Sequence, residues 1–163
     1  MQEALVGTGE NGLVFASGDF MISAFALSEG QTLVGGGGSV VLQAESGRQM
    51  RMANRGAPTT LQESSAMAPA GSGAAVALLT MADDSRAQSL TLSGGDQGIT
   101  ASNVDGFHIA DVAISGSRGD AVHLSDVSNA SFTDLSIANV GGNGFSATGG
   151  THIAVTGAQI TAP

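Results

Sequence analysis

The second half of the amino-acid sequence is an internal repeat with a period of about 23 residues. When 23 is added to the number of an apolar residue between 104 and 124, the new position is again apolar, and a second addition reaches apolar or small residues near the end of the chain. The first two sets are Val104, Phe107, Ile109, Val112, Ile114, Val122 and Leu124, followed by Val127, Ala130, Phe132, Leu135, Ile137, Phe145 and Ala147. A fixed period of this length is the signature of a repeat architecture, in which each unit buries its apolar face against its neighbours.

Each repeat consists of short strands separated by turns. Apolar residues alternate with small or polar ones, as in segments 107–109 and 112–114, and this two-residue period is that of a β-strand. Gly, Ser, Asn and Asp, which favour turns, fill the segments between the strands, such as 115–120 and 139–144. No repeat has room for a helical crossover. The sequence therefore predicts an all-β solenoid of parallel strands, with about 23 residues per coil and about seven coils.

Residues one coil apart should stack in columns that face the core. Three predicted columns are Val76, Ile99, Val122 and Phe145; Leu90, Val112, Leu135 and Ala158; and Leu92, Ile114, Ile137 and Ile160. The third column shifts by one residue at its first step because the connection after Leu92 is one residue shorter than the connection after Ile114. Burial of one such side chain contributes about 1.5–3 kcal/mol, so a charge in a column, as in Ile137→Asp, is expected to destabilise the fold severely.

The first half of the chain follows the repeat more loosely. The step from Leu33 to Val40 has the same length as the step from Leu92 to Ile99, and this match predicts a further coil. Earlier strands are predicted around Leu13, Phe15, Phe20, Ile22, Phe25 and Leu27.

Residues 45–74 lose the period and contain Pro58 and Pro69. This segment is predicted to be an irregular insertion in one coil, because the pattern resumes in phase after it; a flexible linker between domains is the alternative. Regular coils are predicted over residues 75–163, and residues 1–163 are predicted to form a single β-helix domain or a segment of a longer one.

Several motifs resemble those of a known superfamily. They are Gly30-Gln31-Thr32-Leu33-Val34-Gly35-Gly36-Gly37, Gly56-Ala57-Pro58-Thr59, Ser93-Gly94-Gly95-Asp96-Gln97-Gly98-Ile99, Asn103-Val104 and residues 109–116. They look like right-handed parallel β-helices of the pectin-lyase-like superfamily, and most like the passenger regions of bacterial surface proteins, including autotransporter-type adhesins. The resemblance covers the chain from about Val14 to Ile160. It implies a right-handed parallel β-helix and an extracellular or bacterial cell-surface location.

The charge of the chain disfavours polyanionic partners. All five basic residues are arginines, and 14 acidic residues give a formal net charge of −9. Nucleic acids and anionic surfaces are bound through clustered Lys and Arg, so no nucleic-acid partner is predicted. No apolar run is long enough to span a membrane, so direct membrane insertion of this segment is not expected. The lack of cysteine excludes disulfides and cysteine-ligated metals.

The sequence does not match the chemistry that the resemblance implies for enzymes of this fold. Lyases of the superfamily use an Arg or Lys base facing a groove, whereas only Arg86 and Arg118 lie in the regular coils. Hydrolases use three Asp residues around a cleft, whereas Asp83-Asp84 is the only adjacent pair and no Asn-Thr-Asp or Gly-His-Gly motif accompanies it. We therefore predict that the chain is not an enzyme and has no catalytic residues and no cofactor.

The tripeptide Arg118-Gly119-Asp120 is the candidate binding site. Integrins read this tripeptide on an exposed loop tip, so a host-cell receptor is one interpretation. The residues one coil later are Gly141, Gly142 and Asn143, so the same position also fits a turn that needs Gly and Asx residues. Both interpretations stay open at the level of sequence.

Asp111 and Asp134 are one repeat apart and are predicted to stack about 4.8 Å apart on neighbouring coils. Two carboxylates at that distance either bind a cation or raise each other's pKa. The alternative, which we prefer, is a column of Asx residues that caps a bend, because the adjacent coils offer only Gln88 or Ser89 and Gly157. No metal site is therefore predicted.

Two further groups of residues are candidates for binding. The histidines His108, His123 and His152 align with Ser131, Ser146 and Asn129 rather than with one another, so they are predicted to face solvent and not to share a metal. The irregular segment concentrates Arg48, Met50, Arg51, Met52 and Arg55. These residues predict either a contact patch for a partner or a neighbouring subunit, or an ordinary outer surface on which long side chains cover apolar atoms.

The preferred function is a non-catalytic structural or adhesive module of a bacterial surface or secreted protein, which presents loops on a stiff solenoid. Its expected partners are a host-cell receptor or a surface polysaccharide. One alternative is a carbohydrate-binding or polysaccharide-active β-helix protein, although the chain has no Trp or Tyr to stack on a sugar ring. The other is a fibre or assembly segment that stacks end to end or continues into further coils through its unpaired end strands.

Overall fold

The computed structural model describes residues 9–43, 46–64 and 76–161. These residues form strands and turns and no helix, as the repeat predicts. The strands are β1 Leu13–Phe15, β2 Gly18–Ile22, β3 Phe25–Ala26, β4 Thr32–Val34, β5 Ser39–Gln43, β6 Gln49–Ala53, β7 Thr59–Glu63, β8 Ala77–Thr80, β9 Arg86–Ser93, β10 Gln97–Ser102, β11 His108–Ser115, β12 Val122–Ser125, β13 Ser131–Ala138, β14 Phe145–Thr148, β15 Ala154–Thr156 and β16 Gln159–Thr161.

Two parallel sheets run along the solenoid. The long sheet has the order β1-β4-β9-β11-β13-β15, with β2, β7 and β16 continuing its first, second and last coils. The short sheet has the order β14-β12-β10-β8-β3. Paired residues in the regular part differ by 23 in their numbers, as in His108 opposite Ser131. The predicted parallel β-solenoid is confirmed, with six coils among the described residues rather than about seven, because the second coil is lengthened by an inserted hairpin.

The column that contains Ile137 is confirmed and is longer than predicted. Ile137 lies between Ile114 and Ile160, in register with both. The column continues through earlier coils to Leu61 and Phe20, so it crosses all six coils. The column that contains Val112 is also confirmed between Leu90 and Leu135.

The predicted place of Val76 in its column is wrong. Ile99 pairs with Leu79, so this coil is shorter than the regular repeat, and Leu79 pairs with Phe25. The difference arises at two connections. The corner from Leu79 to Ala87 is shorter by two positions than the corner from Ile99 to Ile109. The connection from Leu92 to Ile99 is shorter by one position than the connection from Ile114 to Val122.

The predicted match between Leu33 and Leu92 is also wrong. Leu33 pairs with Ala87 instead, and it belongs to a column with Val14, Ile109, Phe132 and Val155. Val40, which the same match placed in a coil, lies in β5 of the hairpin. A strand has several apolar positions that fit the same alternating pattern. The equal spacing of Leu33 to Val40 and of Leu92 to Ile99 therefore does not fix which residues pair.

The segment predicted as an irregular insertion contains ordered strands. Residues 46–64 include β6 and β7, and β7 pairs in parallel with β2 and β9, so it belongs to the long sheet. The strands β5 and β6 pair with each other in an antiparallel two-stranded sheet. We call this hairpin, whose described residues are 39–43 and 46–53, the arm. Residues 65–75 of the predicted insertion lie outside the described residues.

The corners of the solenoid are columns of left-handed backbone conformation. One column has a positive φ in every coil, at Asn11, Gly30, Asp84, Gly106, Asn129 and His152. Gly, Asn and Asp adopt this conformation most readily, so their repeated use at one corner explains the composition of the turns. The sequence pattern predicted turns between the strands from their content of Gly, Ser, Asn and Asp.

The core is closed along its length but open at its last coil. Phe107 and Phe132 are almost fully buried and pack edge to face at 5.5 Å, and Phe145 continues the stack at 5.1 Å from Phe132. In the last coil, Val155 and Ile160 occupy core columns but are 44% and 56% exposed.

Candidate functional site

Arg118 lies in the turn between β11 and β12 and links three coils. Its Nη1 and Nη2 atoms donate to the two carboxylate oxygens of Glu63 at 2.7 Å each. Its Nε donates to Oδ1 of Asp96 at 2.8 Å. The hydrogen bond from Arg118 holds the pKa of Glu63 below its ordinary value. The pKa of Asp96 is lowered by the backbone N–H of Val76 and then by Arg118. The guanidinium group is thus held by two carboxylates of the same chain.

Asp120 is also engaged within the solenoid. One carboxylate oxygen accepts the backbone N–H of Asn143 at 2.7 Å, and the other lies 3.0 Å from Nδ1 of His123. Its side chain is 18% exposed. Burial acts to raise the pKa of Asp120, but the hydrogen bonds from Asn143 and His123 hold it below its ordinary value.

The structure therefore places the candidate tripeptide in a stacked turn. The N–H of Gly119 donates to the carbonyl of Asp96 in the coil before, and the N–H of Gly142 donates to the carbonyl of Gly119 from the coil after. Both charged side chains are used in contacts between coils, as a turn column requires. Receptor binding by Arg118, Gly119 and Asp120 stays a prediction, and it would have to replace these contacts.

Asp111 and Asp134 occupy a bend inside the strands of the long sheet. Both have a φ of 52°, and they share their column with Ser89 and Gly157, which also have positive φ. Ser89 Oγ donates to Oδ2 of Asp111 at 3.0 Å. This backbone conformation supports the preferred interpretation, a bend capped by Asx residues. Within the described ranges, no three His, Asp or Glu side chains are grouped so that they could hold a metal ion.

The three histidines are separate, as predicted. His108 pairs with Ser131 across β11 and β13, and its Nδ1 is hydrogen bonded to the Ser131 hydroxyl. Burial lowers the pKa of His108, and Arg86 lowers it further. His123 contacts Asp120, and His152 has a left-handed conformation at a corner. His108 and His123 are only partly exposed, whereas His152 is exposed.

The sequence prediction named a possible contact patch at Arg48, Met50, Arg51, Met52 and Arg55 but missed the hairpin, the arm, that carries four of these residues. Its register places Val40 opposite Met52, Leu42 opposite Met50 and Val41 opposite Arg51. Because side chains alternate between faces, one face of the arm is formed by the first two pairs and is apolar. On this face Leu42 and Met50 are 39% and 61% exposed, and Val41, on the opposite face beside Arg51, is 57% exposed. The signal in the sequence is an apolar run, residues 40–42, and an alternating segment, residues 49–53, on either side of Ser46-Gly47, where Gly47 has a φ of 79°.

The base of the arm is fixed to two coils through Asn54. Its Nδ2 donates to the carbonyls of Ala16 at 2.6 Å and Val34 at 3.1 Å. Its backbone N–H donates to the carbonyl of Gly38, and its carbonyl accepts the N–H of Gly37. These bonds orient the arm relative to the solenoid.

Two more contacts hold the base of the arm. Gln88 Nε2 donates to the carbonyl of Ser39 at 2.5 Å. Gly36 lies so close to the next segment that a Cβ atom would be 1.7 Å from the carbonyl oxygen of Ala57, so only glycine fits there. The arm is therefore a rigidly mounted projection with an exposed apolar surface.

No protein-family model, no curated protein and no solved structure matches this chain. The described residues include no helix that is long and apolar enough to cross a membrane.

Proposed function

We propose that the chain is a non-catalytic structural or adhesive module, in which a stiff β-solenoid presents the arm to a partner. The observation that supports this proposal most directly is the combination of a fixed base and an exposed apolar surface on one projection. Asn54 and Gln88 hold the base, while Val41, Leu42 and Met50 are exposed. Exposed apolar groups on a fixed element are typical of contact surfaces, because binding them loses little conformational freedom.

The solenoid is suited to the role of a rigid support. Its parallel strands are paired from coil to coil, and its core columns are continuous, so bending it would disrupt many contacts at once. The contacts of Arg118 with Glu63 and Asp96 tie the coil that carries the arm to the regular coils. Force on the arm would therefore be transmitted to the whole stack.

The proposed setting follows from the resemblance of the motifs to pectin-lyase-like β-helices and autotransporter passenger regions. On that basis the module belongs to a bacterial surface or secreted protein and acts outside the cell. Its partner is a host-cell receptor or a surface polysaccharide. The fold alone supports no catalytic role, because this architecture carries many functions.

The proposal is tested by measuring adhesion of the purified chain to cultured mammalian cells and to immobilised bacterial polysaccharides. The double variant Leu42→Ser/Met50→Ser is expected to weaken binding about tenfold or more, because exposed apolar anchors dominate such contacts. Met21→Ser removes a comparably exposed methionine, 48% accessible, from β2 outside the arm and is the matched control. Equal binding by the arm variant and the wild-type chain would contradict the proposal, as would depolymerisation of any of the polysaccharides.

A second candidate function is end-to-end assembly into a fibre. Val155 and Ile160 support it, because they continue two core columns into solvent at the last coil. The strands β15 and β16 also have backbone groups on one side that no described strand pairs. In this case Ile160→Glu is expected to abolish filaments that electron microscopy detects with the wild-type chain, whereas Leu42→Ser/Met50→Ser is expected to leave them intact.

A further inference from the structure

The arm and the rest of the chain carry opposite charge. Residues 39–55, which comprise the arm and the two residues that follow it, contain Arg48, Arg51 and Arg55 with a single acidic residue, Glu45, which gives a formal charge of +2. The remaining residues contain two arginines and 13 acidic residues, which gives −11. Three of the five arginines are thus concentrated in the arm and directly after it.

Arg48 and Arg51 of the arm, and Arg55 just after it, are available for an external contact. All three are exposed, and none forms an ion pair with a described residue. Arg51 donates from Nε and Nη2 to the hydroxyl of Ser39 at 3.2 and 3.0 Å, which holds its side chain along the arm without neutralising it. A hollow of about 470 Å³ next to Arg48 is bordered by Leu42 and Met50, so cationic and apolar groups adjoin.

A surface with complementary charge lies at one corner of the solenoid. Asp83, Asp105 and Asp126 are exposed on successive coils and border an open trough of about 620 Å³. Asp83 uses Oδ1 to accept the N–H of Asp105, and Asp105 uses Oδ1 to accept Nδ2 of Asn129. The second carboxylate oxygen of Asp83 and of Asp105 has no hydrogen-bond partner among the described residues. We call the surface formed by these three aspartates the acidic corner.

We propose that the arm of one copy of this chain docks on the acidic corner of a second copy. This inference goes beyond the proposed function, because it gives the arm a second partner, another copy of this chain. Opposite charges favour the contact, whereas pairing two arms through their apolar faces would bring four arginines together. The two surfaces differ, so the contact is heterologous and each copy can bind two neighbours, which leads to chains or closed rings. The small area of a two-stranded arm predicts a weak, salt-sensitive association.

The test is sedimentation velocity of the purified chain at concentrations up to about 1 mM. The weight-average mass of the wild-type chain is expected to rise with concentration at about 20 mM NaCl and to return to that of a monomer at about 500 mM NaCl. Arg48→Glu is expected to weaken association at least tenfold, whereas Arg86→Glu, the same charge change outside the arm, is expected to leave it unchanged.

Complementation identifies the acidic corner. Asp105→Arg is expected to remain monomeric at low salt, and Asp19→Arg, at an exposed acid outside the corner, is the control. A mixture of Arg48→Glu and Asp105→Arg retains one intact arm and one intact corner, so it is expected to form heterodimers. Circular dichroism melts establish that each variant is folded; if Asp105→Arg does not fold, Asp126→Asn replaces it and is expected to weaken association.

Three results would overturn the inference. They are a wild-type chain that stays monomeric at low salt, an association that Arg48→Glu does not weaken, and a monomeric chain that binds phosphatidylserine vesicles through the arm. Any of these together with arm-dependent adhesion to cells or polysaccharide would leave the proposed function standing. Self-association through the arm without any effect of Leu42→Ser/Met50→Ser on adhesion would overturn the adhesive function alone.

Discussion

Arg118 donates two parallel hydrogen bonds to Glu63, and the two residues are 55 positions apart in the chain. Glu63 ends β7 in the second coil, whereas Arg118 precedes β12 in the fourth, so the pair spans an intervening coil, to which Arg118 is also bonded through Asp96. A bidentate pair fixes geometry more strictly than a single contact. The pair therefore sets how the coil that carries the arm sits on the regular coils.

The stability of the fold should depend on acid through these carboxylates. The pKa values of Glu63 and Asp96 are lowered in the folded chain from ordinary values of 4.5 and 3.8, so their contribution is complete above those values and is lost as the pH falls below them. We expect the melting temperature to decrease when the pH is lowered below 4.5. Glu63→Gln is expected to lower the melting temperature by about 1–4 °C at neutral pH and to make it less dependent on acid. An acid-melting profile that Glu63→Gln leaves unchanged would contradict this account.

His108 should add a separate pH dependence nearer neutrality. Its pKa is lowered from 6.5, mainly by burial, so the neutral imidazole is favoured in the folded chain and stability decreases as the pH falls through 6.5 toward the lowered value. In His108→Gln this decrease is expected to be absent from thermal melts in that range. His152→Gln, at an exposed histidine, is the control and is expected to melt with the wild-type profile.

The core column through Ile137 provides a test of the register. Ile137 is 1% exposed and lies between Ile114 and Ile160. Ile137→Asp is expected to lower the free energy of unfolding by more than about 4 kcal/mol, because it buries an unpaired charge, and Ile137→Val by about 0.5–1.5 kcal/mol. Ser136→Asp, at the adjacent exposed position, is expected to change stability little. Urea denaturation measures all three, and similar values for the two Asp variants would refute the register.

Asn54 is expected to control the order of the arm. Asn54→Ala removes the side-chain bonds to the carbonyls of Ala16 and Val34, and is expected to lower the free energy of unfolding by about 1–3 kcal/mol. Hydrogen exchange of the amides of β5 and β6 should become faster than that of β11 and β13. Gln49→Ala, in the arm itself, serves as the comparison, and equal exchange in both variants would argue against anchoring by Asn54.

The bend at Asp111 can be distinguished from a cation site. Asp111 has a φ of 52°, which β-branched residues adopt poorly, so Asp111→Val is expected to be destabilised by about 1–2 kcal/mol. Asp111→Asn and Asp134→Asn keep residues that tolerate this conformation and are expected to melt near the wild-type temperature. Addition of calcium is expected to leave all melts unchanged. A rise in melting temperature with calcium that either Asn variant abolishes would establish a cation site instead.

The arm shows why part of the candidate site could not be predicted from the sequence. Val40, Val41 and Leu42 fit the strand pattern of a coil as well as that of a hairpin, so the same residues predicted a coil that does not exist. The concentration of arginines was visible in the sequence, but the pairing of Leu42 with Met50 became visible only with the antiparallel register.

The tripeptide Arg118-Gly119-Asp120 illustrates the reverse case. Its alignment with Gly141, Gly142 and Asn143 predicted a turn column, and the backbone bonds of that column are present. The partners of the Arg118 side chain could not be predicted, because Glu63 lies outside the regular repeats and no spacing rule relates it to Arg118.

The sequence by itself determined the period, the inward columns of the regular coils and the kind of residue at the corners. These features are local: alternation of side chains selects strands, a left-handed turn selects Gly, Asn or Asp, and the constant spacing of the repeat brings like residues together. The tertiary structure decided where the chain departs from that period. It placed Leu79 rather than Val76 beneath Ile99, turned residues 39–53 out of the second coil and joined Glu63 to Arg118. Such choices depend on connection lengths and on contacts between residues far apart in the chain, which no local pattern encodes.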